Sequence, residues 1–206
     1  MMLRSIKPTK RSRASRETKP IIFIFCEGIK TEPLYFSSWR TRGMSMQILQ
    51  VSHTDPVGIV RDARKLLENY DFEPRAGDSA WCVYDVDENE DTAIESALKF
   101  AESKKFNVVV SNPCFELWYL LHFQAIYSPT NGANISQLLK KHIPDYQKNN
   151  PVYSLLKPHV ATAITNAKLL AIKYNAQVNP KCSRAAAPYT NVYELVETIL
   201  DAQARA

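Results

Sequence analysis

Ile21-Ile22-Phe23-Ile24-Phe25-Cys26-Glu27-Gly28 is the stretch on which the reading of this chain turns. Six consecutive apolar residues, β-branched and aromatic among them, show no alternation of exposed and buried positions. Such a strand needs cover on both faces, as in a parallel sheet flanked by helices. It then runs without a break into an acid and a glycine.

The same grammar repeats downstream. Thr31 is placed to cap a helix, with Pro33 in its first turn and an end near Gly43. Residues 46–51 read as a second strand. Asp55-Pro56 is a cap followed by proline, and Val57, Val60, Ala63 and Leu67 continue at helical spacing toward Tyr70. A loop over 71–79 precedes a third strand at 80–84. Asp91 or Thr92 caps a third helix reaching Ala101. Residues 107–110 make a fourth strand, and Asn112 is placed to cap a very apolar helix ending near Phe123. Strands alternating with helices predict βαβ units and a mostly parallel α/β sheet of Rossmann-like kind. Beyond Gln124 the strand signal fades. Helices are expected at 135–142, 158–174 and 191–204, with loops at 142–157 and 175–190, so this part is read as helices packed on the core. The organisation expected is a basic, flexible arm over 1–19 and a single domain over 20–206. Its α/β core covers about 20–124 and its helical C-terminal part about 125–206.

Composition narrows the function classes. The chain has 206 residues, an apolar fraction of 45%, ten Tyr and eight Phe, enough for a real core, and only five Gly. No apolar run approaches the roughly 20 residues needed to cross a bilayer, and the basic start lacks the apolar segment of a signal peptide. A soluble, cytoplasmic protein with no membrane partner is expected. Cys26, Cys82, Cys114 and Cys182 are scattered without a C-x-x-C pair, which supports neither a zinc site nor a disulfide framework. There is no G-x-x-x-x-G-K loop, so any nucleotide hydrolysis is expected of a partner. The net charge is +5, and Lys7, Lys10, Arg11, Arg13, Arg16 and Lys19 crowd the N-terminal arm. That arm either neutralises nucleic-acid phosphates or is a solvated tail.

Two strand ends carry acids. The first runs into Glu27-Gly28, the third into Asp85-Val86-Asp87-Glu88. In an extended segment, residues two apart share a face, so Asp85 and Asp87 can point the same way. If the two strands are neighbours, about 5 Å apart, Glu27 comes within the span of one or two cations of that pair. Converging carboxylates need protons, basic partners or a cation, and hard oxygen donors suit Mg²⁺ or Mn²⁺. The competing reading is that these acids are solvated caps and turns. Both stand on spacing alone.

Three segments carry a resemblance. Phe25-Cys26-Glu27-Gly28-Ile29-Lys30-Thr31-Glu32-Pro33-Leu34-Tyr35-Phe36, Tyr84-Asp85-Val86-Asp87-Glu88 and Ser111-Asn112-Pro113-Cys114-Phe115-Glu116-Leu117-Trp118-Tyr119-Leu120-Leu121-His122-Phe123 resemble RloB-family proteins in order and spacing. Pro188-Tyr189-Thr190-Asn191-Val192-Tyr193 extends the likeness nearly to the end. The resemblance implies a Toprim-like fold, Mg²⁺ dependence and phosphodiester chemistry on DNA or RNA. It further implies a role in bacterial defence against phage, from restriction and abortive-infection loci, often beside an AAA-type ATPase. By motif position Glu27 falls on the Toprim glutamate, and Asp85 and Asp87 on the metal-binding pair. Ile29 departs from the pattern, occupying a position that is often acidic. It is expected to pack.

Around this cluster, Lys30 is either a phosphate contact or a solvated lysine. Glu32 is assigned to compensating the dipole of the first helix. Glu88 either assists the metal or is a surface acid. Glu116, among Phe115, Leu117 and Trp118, is either functional or another helix-terminal acid, with Asn112 beside it as a phosphate or metal-water contact. His122 and His53 read as satisfied histidines sooner than catalysts. Lys148 is either a substrate contact or a loop lysine. The leading expectation is a Mg²⁺-dependent nuclease. Glu27, Asp85 and Asp87 hold metal, Glu27, Lys30 and Glu116 do the catalysis, and Lys10, Arg11, Arg13, Lys30 and Lys148 hold nucleic acid. The alternative is a non-catalytic subunit of an AAA-type ATPase complex. A homodimer fits either.

Overall fold

The computed structural model describes residues 19–86, 89–175, 185 and 187–206. Strands β1 (Ile21–Cys26), β2 (Ser45–Gln50), β3 (Ser79–Asp85) and β4 (Asn107–Asn112) run parallel, and β5 (Tyr189–Thr190) lies antiparallel on β4. The sheet order is β2-β1-β3-β4-β5. Helix α1 (Thr31–Ser37) follows β1, α2 (Pro56–Leu67) follows β2, α3 (Asp91–Ser103) follows β3 and α4 (Glu116–Leu121) follows β4. Then come α5 (Gly132–His142), the single turn α6 (Tyr153–Leu156), α7 (Val160–Asn175) and, after β5, α8 (Val192–Ala204). This is the mostly parallel α/β sheet expected, with a helical C-terminal part.

The first strand shows why its sequence has no alternation. Ile22, Ile24 and Cys26 enter one core with side chains of α1, α4, α5, α7 and α8, while Phe23 and Phe25 enter a second core with α2 and α3. All five are essentially sealed from solvent. A strand buried on both faces has no polar position to spare.

From β1 the chain steps outward to β2, then crosses back to β3 on the other side of β1. Connections therefore leave β1 and β3 in opposite directions. At such a switch point the loops splay apart and open a crevice beyond the carboxyl ends of the strands. The β1–β3 register pairs Cys26 with Val83, which places Glu27 and Asp85 together at that crevice.

Several local expectations change. Thr31 is the first residue of α1, and its hydroxyl donates to the Lys148 carbonyl at 3.1 Å instead of capping. Asp55 does cap α2, accepting from the Gly58 N–H at 2.7 Å, but α3 is preceded by Glu90, which makes no side-chain cap. Asn112 does not cap α4: it stays in β4, opposite Tyr189, and Phe115 occupies the cap position. Asn112 is buried in the sheet. The C-terminal part also contributes more than helices. Beyond β5, the Asn191 side chain continues the ladder, accepting from the Val110 N–H at 2.8 Å and donating to the Val108 carbonyl at 2.9 Å. An amide side chain can satisfy both backbone groups because it carries the same donor and acceptor as a peptide.

Candidate functional site

At the carboxyl end of β1 the backbone N–H of Glu27 still donates to the Val83 carbonyl, at 3.1 Å, so Glu27 prolongs the strand. Its carboxylate accepts from the Asp85 backbone N–H at 3.3 Å. The two acids that the sequence placed on separate strand ends are thus neighbours. Both are half-buried. Asp87 and Glu88 lie outside the described residues, as do Lys10, Arg11 and Arg13 of the arm.

Two further carboxylates join them. Glu32, in the first turn of α1, is only 6% exposed, and Glu116, the first residue of α4, only 4%. Dipole compensation does not account for Glu32, because its carboxylate faces inward over Gly28. A Cβ added at Gly28 would stand 2.1 Å from the Glu32 Oε2. The glycine is needed for this close approach rather than for a sharp turn, since only Gly43 and Gly77 among the described glycines adopt positive φ. A sequence signal for Glu32 does exist. It shares an i, i+3, i+4 face with the buried Tyr35 and Phe36, so it has to point at the core or at a site.

Glu116 is held from the C-terminal part of the chain. The Tyr146 hydroxyl donates to its Oε1 at 3.1 Å, and the Lys148 ammonium stands 3.7 Å from the same oxygen. The Lys148 loop is pinned through its carbonyl by Thr31, whose own carbonyl accepts from the Tyr119 hydroxyl at 3.2 Å. Glu27, Glu32, Asp85, Glu116 and Lys148 line one cavity of about 410 Å³, with Lys30 and Ile29 at its rim. Lys30 is solvent-exposed. Ile29, expected to pack, is instead 60% exposed.

The electrostatics follow from burial and crowding. Burial, then the nearby Glu116 and Glu27 charges, raise the Glu32 carboxyl to about 7, with some relief from its own backbone N–H and from Lys148. Burial and the charges of Glu32, Glu116 and Glu27 push Asp85 well above the carboxylate range. Glu116 holds the Lys148 ammonium above its usual value. Even Cys26, sealed in the core behind the site, is raised by burial and then by Glu32. The acids therefore share one field. Glu116 and Glu27 oppose the ionisation of both Glu32 and Asp85, beside the exposed ammonium groups of Lys148 and Lys30.

Among the described residues no group of three or more His, Cys, Asp and Glu side chains is arranged as a metal cage. The donor set nonetheless suits a hard divalent cation by its chemistry: carboxylate oxygens, no competing thiolate or imidazole in the cavity, and excess negative charge. Glu27, Glu32, Asp85 and Glu116 are the described residues that could supply such ligands.

The histidines stand elsewhere. His122 is buried, its Nδ1 2.9 Å from the Trp118 carbonyl, and burial lowers its pKa to about 4, as befits a core residue. His53 pairs with Asp62 at 3.0 Å, on a carboxylate that also accepts from the Ser52 and His53 backbone N–H groups. Cys26, Cys82 and Cys114 are free thiols, and Cys182 lies outside the described residues. No helix among the described residues is long and apolar enough to cross a membrane.

A comparison with curated proteins returned no match, and neither did one with solved structures. A comparison with protein families matched the RloB-like proteins over residues 22–199, from the first strand to the last helix. That span takes in the acid-bearing end of β1, the carboxyl end of β3, the β4–α4 junction with Glu116, and the Tyr189–Asn191 ladder. The chain belongs to the RloB-like protein family.

Proposed function

We propose that this protein is a metal-dependent nuclease with a Toprim-like centre, hydrolysing nucleic-acid phosphodiesters as an effector of bacterial anti-phage defence. The observation that carries the reading is the convergence of Glu27, Glu32, Asp85 and Glu116 on one cavity at the switch point of the sheet. Burial, and then their mutual repulsion, raise Asp85 and Glu32. A protein that maintains such a cluster spends stability on it, which is rational where a cation relieves the repulsion. The defence role rests on family membership.

Glu27, Asp85 and Glu32 would hold Mg²⁺ or Mn²⁺, together with Asp87 of the undescribed segment. When bound, such an ion polarises a phosphoryl oxygen and stabilises charge in the transition state. The chain's own residues do the rest. The ammonium of Lys148, beside Glu116, and that of Lys30 at the rim attract the phosphate and orient it over the carboxylates. Glu116, desolvated and steadied by the Tyr146 hydroxyl, is placed to move a proton at the attacking water or the leaving oxygen. Thr31 and Tyr119 hold the Lys148 loop in register with these groups.

The test is direct. Purified protein is incubated with single- and double-stranded DNA and RNA in Mg²⁺, Mn²⁺ or EDTA, alongside Asp85→Asn and Glu27→Gln. Cleavage that requires the cation and is lost in both variants is expected. Cleavage that survives EDTA or both substitutions would overturn the mechanism. No cleavage of any substrate, with or without an AAA-type ATPase partner, would favour a non-catalytic subunit.

A further inference from the structure

A second cavity, of about 460 Å³, adjoins the carboxylate site and shares its Glu116 and Lys148. The Glu116–Lys148 pair is thus a party wall. One side of it is acidic. The other is lined by Ser136 and Lys140 of α5, by Gln147 and by Cys114, with no carboxylate besides Glu116 itself. Both lysines are exposed and carry their charge at the surface. Lys140 has no salt-bridge partner among the described residues within 4.0 Å, unlike Lys168 with Glu197 or Lys99 with Glu95.

We infer that this second cavity is a strand-binding subsite that receives the nucleotide next to the scissile phosphate. The inference rests on the nuclease reading and extends it to the path of the substrate. Each cavity has the volume of a small-ligand pocket, and the two share the Glu116–Lys148 pair in their lining. A single strand crossing Lys148 would set one phosphate over the carboxylates and the neighbouring nucleotide against Lys140, Ser136 and Gln147. The chemistry suits backbone recognition: ammonium to phosphate, with hydroxyl and amide groups for sugar or phosphate oxygens.

The full chain carrying Asp85→Asn, so that substrate is not consumed, is titrated with fluorescent single-stranded DNA and RNA across a range of salt. Lys140→Ala is compared with Lys65→Ala, which alters an exposed lysine in the last turn of α2, a residue that lines neither cavity. Removing one ammonium that pairs with a phosphate of a single strand should lower the slope of log K against log salt by about 0.7. Lys140→Ala is expected to show that drop and Lys65→Ala none. Ser136→Tyr, which fills the cavity without changing charge, should weaken binding at every salt concentration. Its fold is checked by circular dichroism. In the active protein, Lys140→Ala should raise KM and leave kcat unchanged. Binding and cleavage that are indifferent to both α5 substitutions would overturn the subsite and leave the nuclease reading intact. If no strand is bound and none is cut, both fall together.

Discussion

Replacing Glu32 by glutamine keeps its shape and removes its charge, and the consequence for stability follows from the field in the site. Burial and the charges of Glu116 and Glu27 raise this carboxyl from the usual 4.5 to about 7. Between those two values the folded chain holds a proton at Glu32 that the unfolded chain has released. Stability therefore falls as pH rises through this window, the reverse of the behaviour of a salt-bridged acid. One pKa unit corresponds to about 1.4 kcal/mol, so the destabilisation at pH 8 is about 3 kcal/mol for this group. The residue is only 6% exposed, so solvent screening is slight. Urea unfolding in EDTA at pH 5 and pH 8 measures it. The wild type should lose about 3 kcal/mol more than Glu32→Gln on going to pH 8. A saturating divalent cation should reverse the loss in the wild type and stabilise the variant less, since Glu27, Asp85 and Glu116 remain to bind it. Asp85, Glu27, Glu116 and Lys148 face Glu32 in both proteins, so the comparison reads the Glu32 charge together with the push it exerts on Asp85. Parallel pH dependence of the two proteins would refute the reasoning.

Two further substitutions probe separate parts of the structure. Gly28→Ala drives a methyl group against the movable end of the Glu32 side chain, 2.1 Å from Oε2. The carboxylate should swing away, changing thermal stability by about 1 kcal/mol or less while divalent-cation affinity, measured by calorimetry, falls ~10-fold or more. Asn191→Ala leaves the Val110 N–H and the Val108 carbonyl without the amide that satisfies them. Denaturant unfolding should register a loss of roughly 2–4 kcal/mol, with an unchanged β4 in spectroscopic terms and no direct effect on cation affinity.

What can be read from the residues depends on how local the information is. Strands β1, β3 and β4 are legible because each carries a continuous apolar run, β2 because Met46, Ile48 and Leu49 recur within a short span, and β1 and β3 announce the site because their runs end on acids. Asp55 is legible as a cap because Pro56 follows it. By contrast β5 is two residues long and is defined by its partners, Ser111 and Asn112, almost eighty positions earlier. Asn112 misleads for the same reason: its neighbours suggest a helix start, while pairing with Tyr189 keeps it in the sheet. Glu32 resembles a dipole-compensating acid until the close approach over Gly28 is visible. Lys148 gains its position from Thr31 and Glu116, two partners that sequence spacing does not disclose. Ile29 stands exposed where packing is expected, because the loop that carries it forms the rim of the cavity.

Calorimetric titration of Mn²⁺ into the wild type and Asp85→Asn at pH 8 tests most directly the claim that these carboxylates serve a divalent cation. Saturable binding by the wild type is predicted, tightening from pH 6 to pH 8 as Glu32 loses its proton, and weakened ~10-fold or more in the variant. Absence of saturable binding in the wild type, or equal binding by Asp85→Asn, would contradict it.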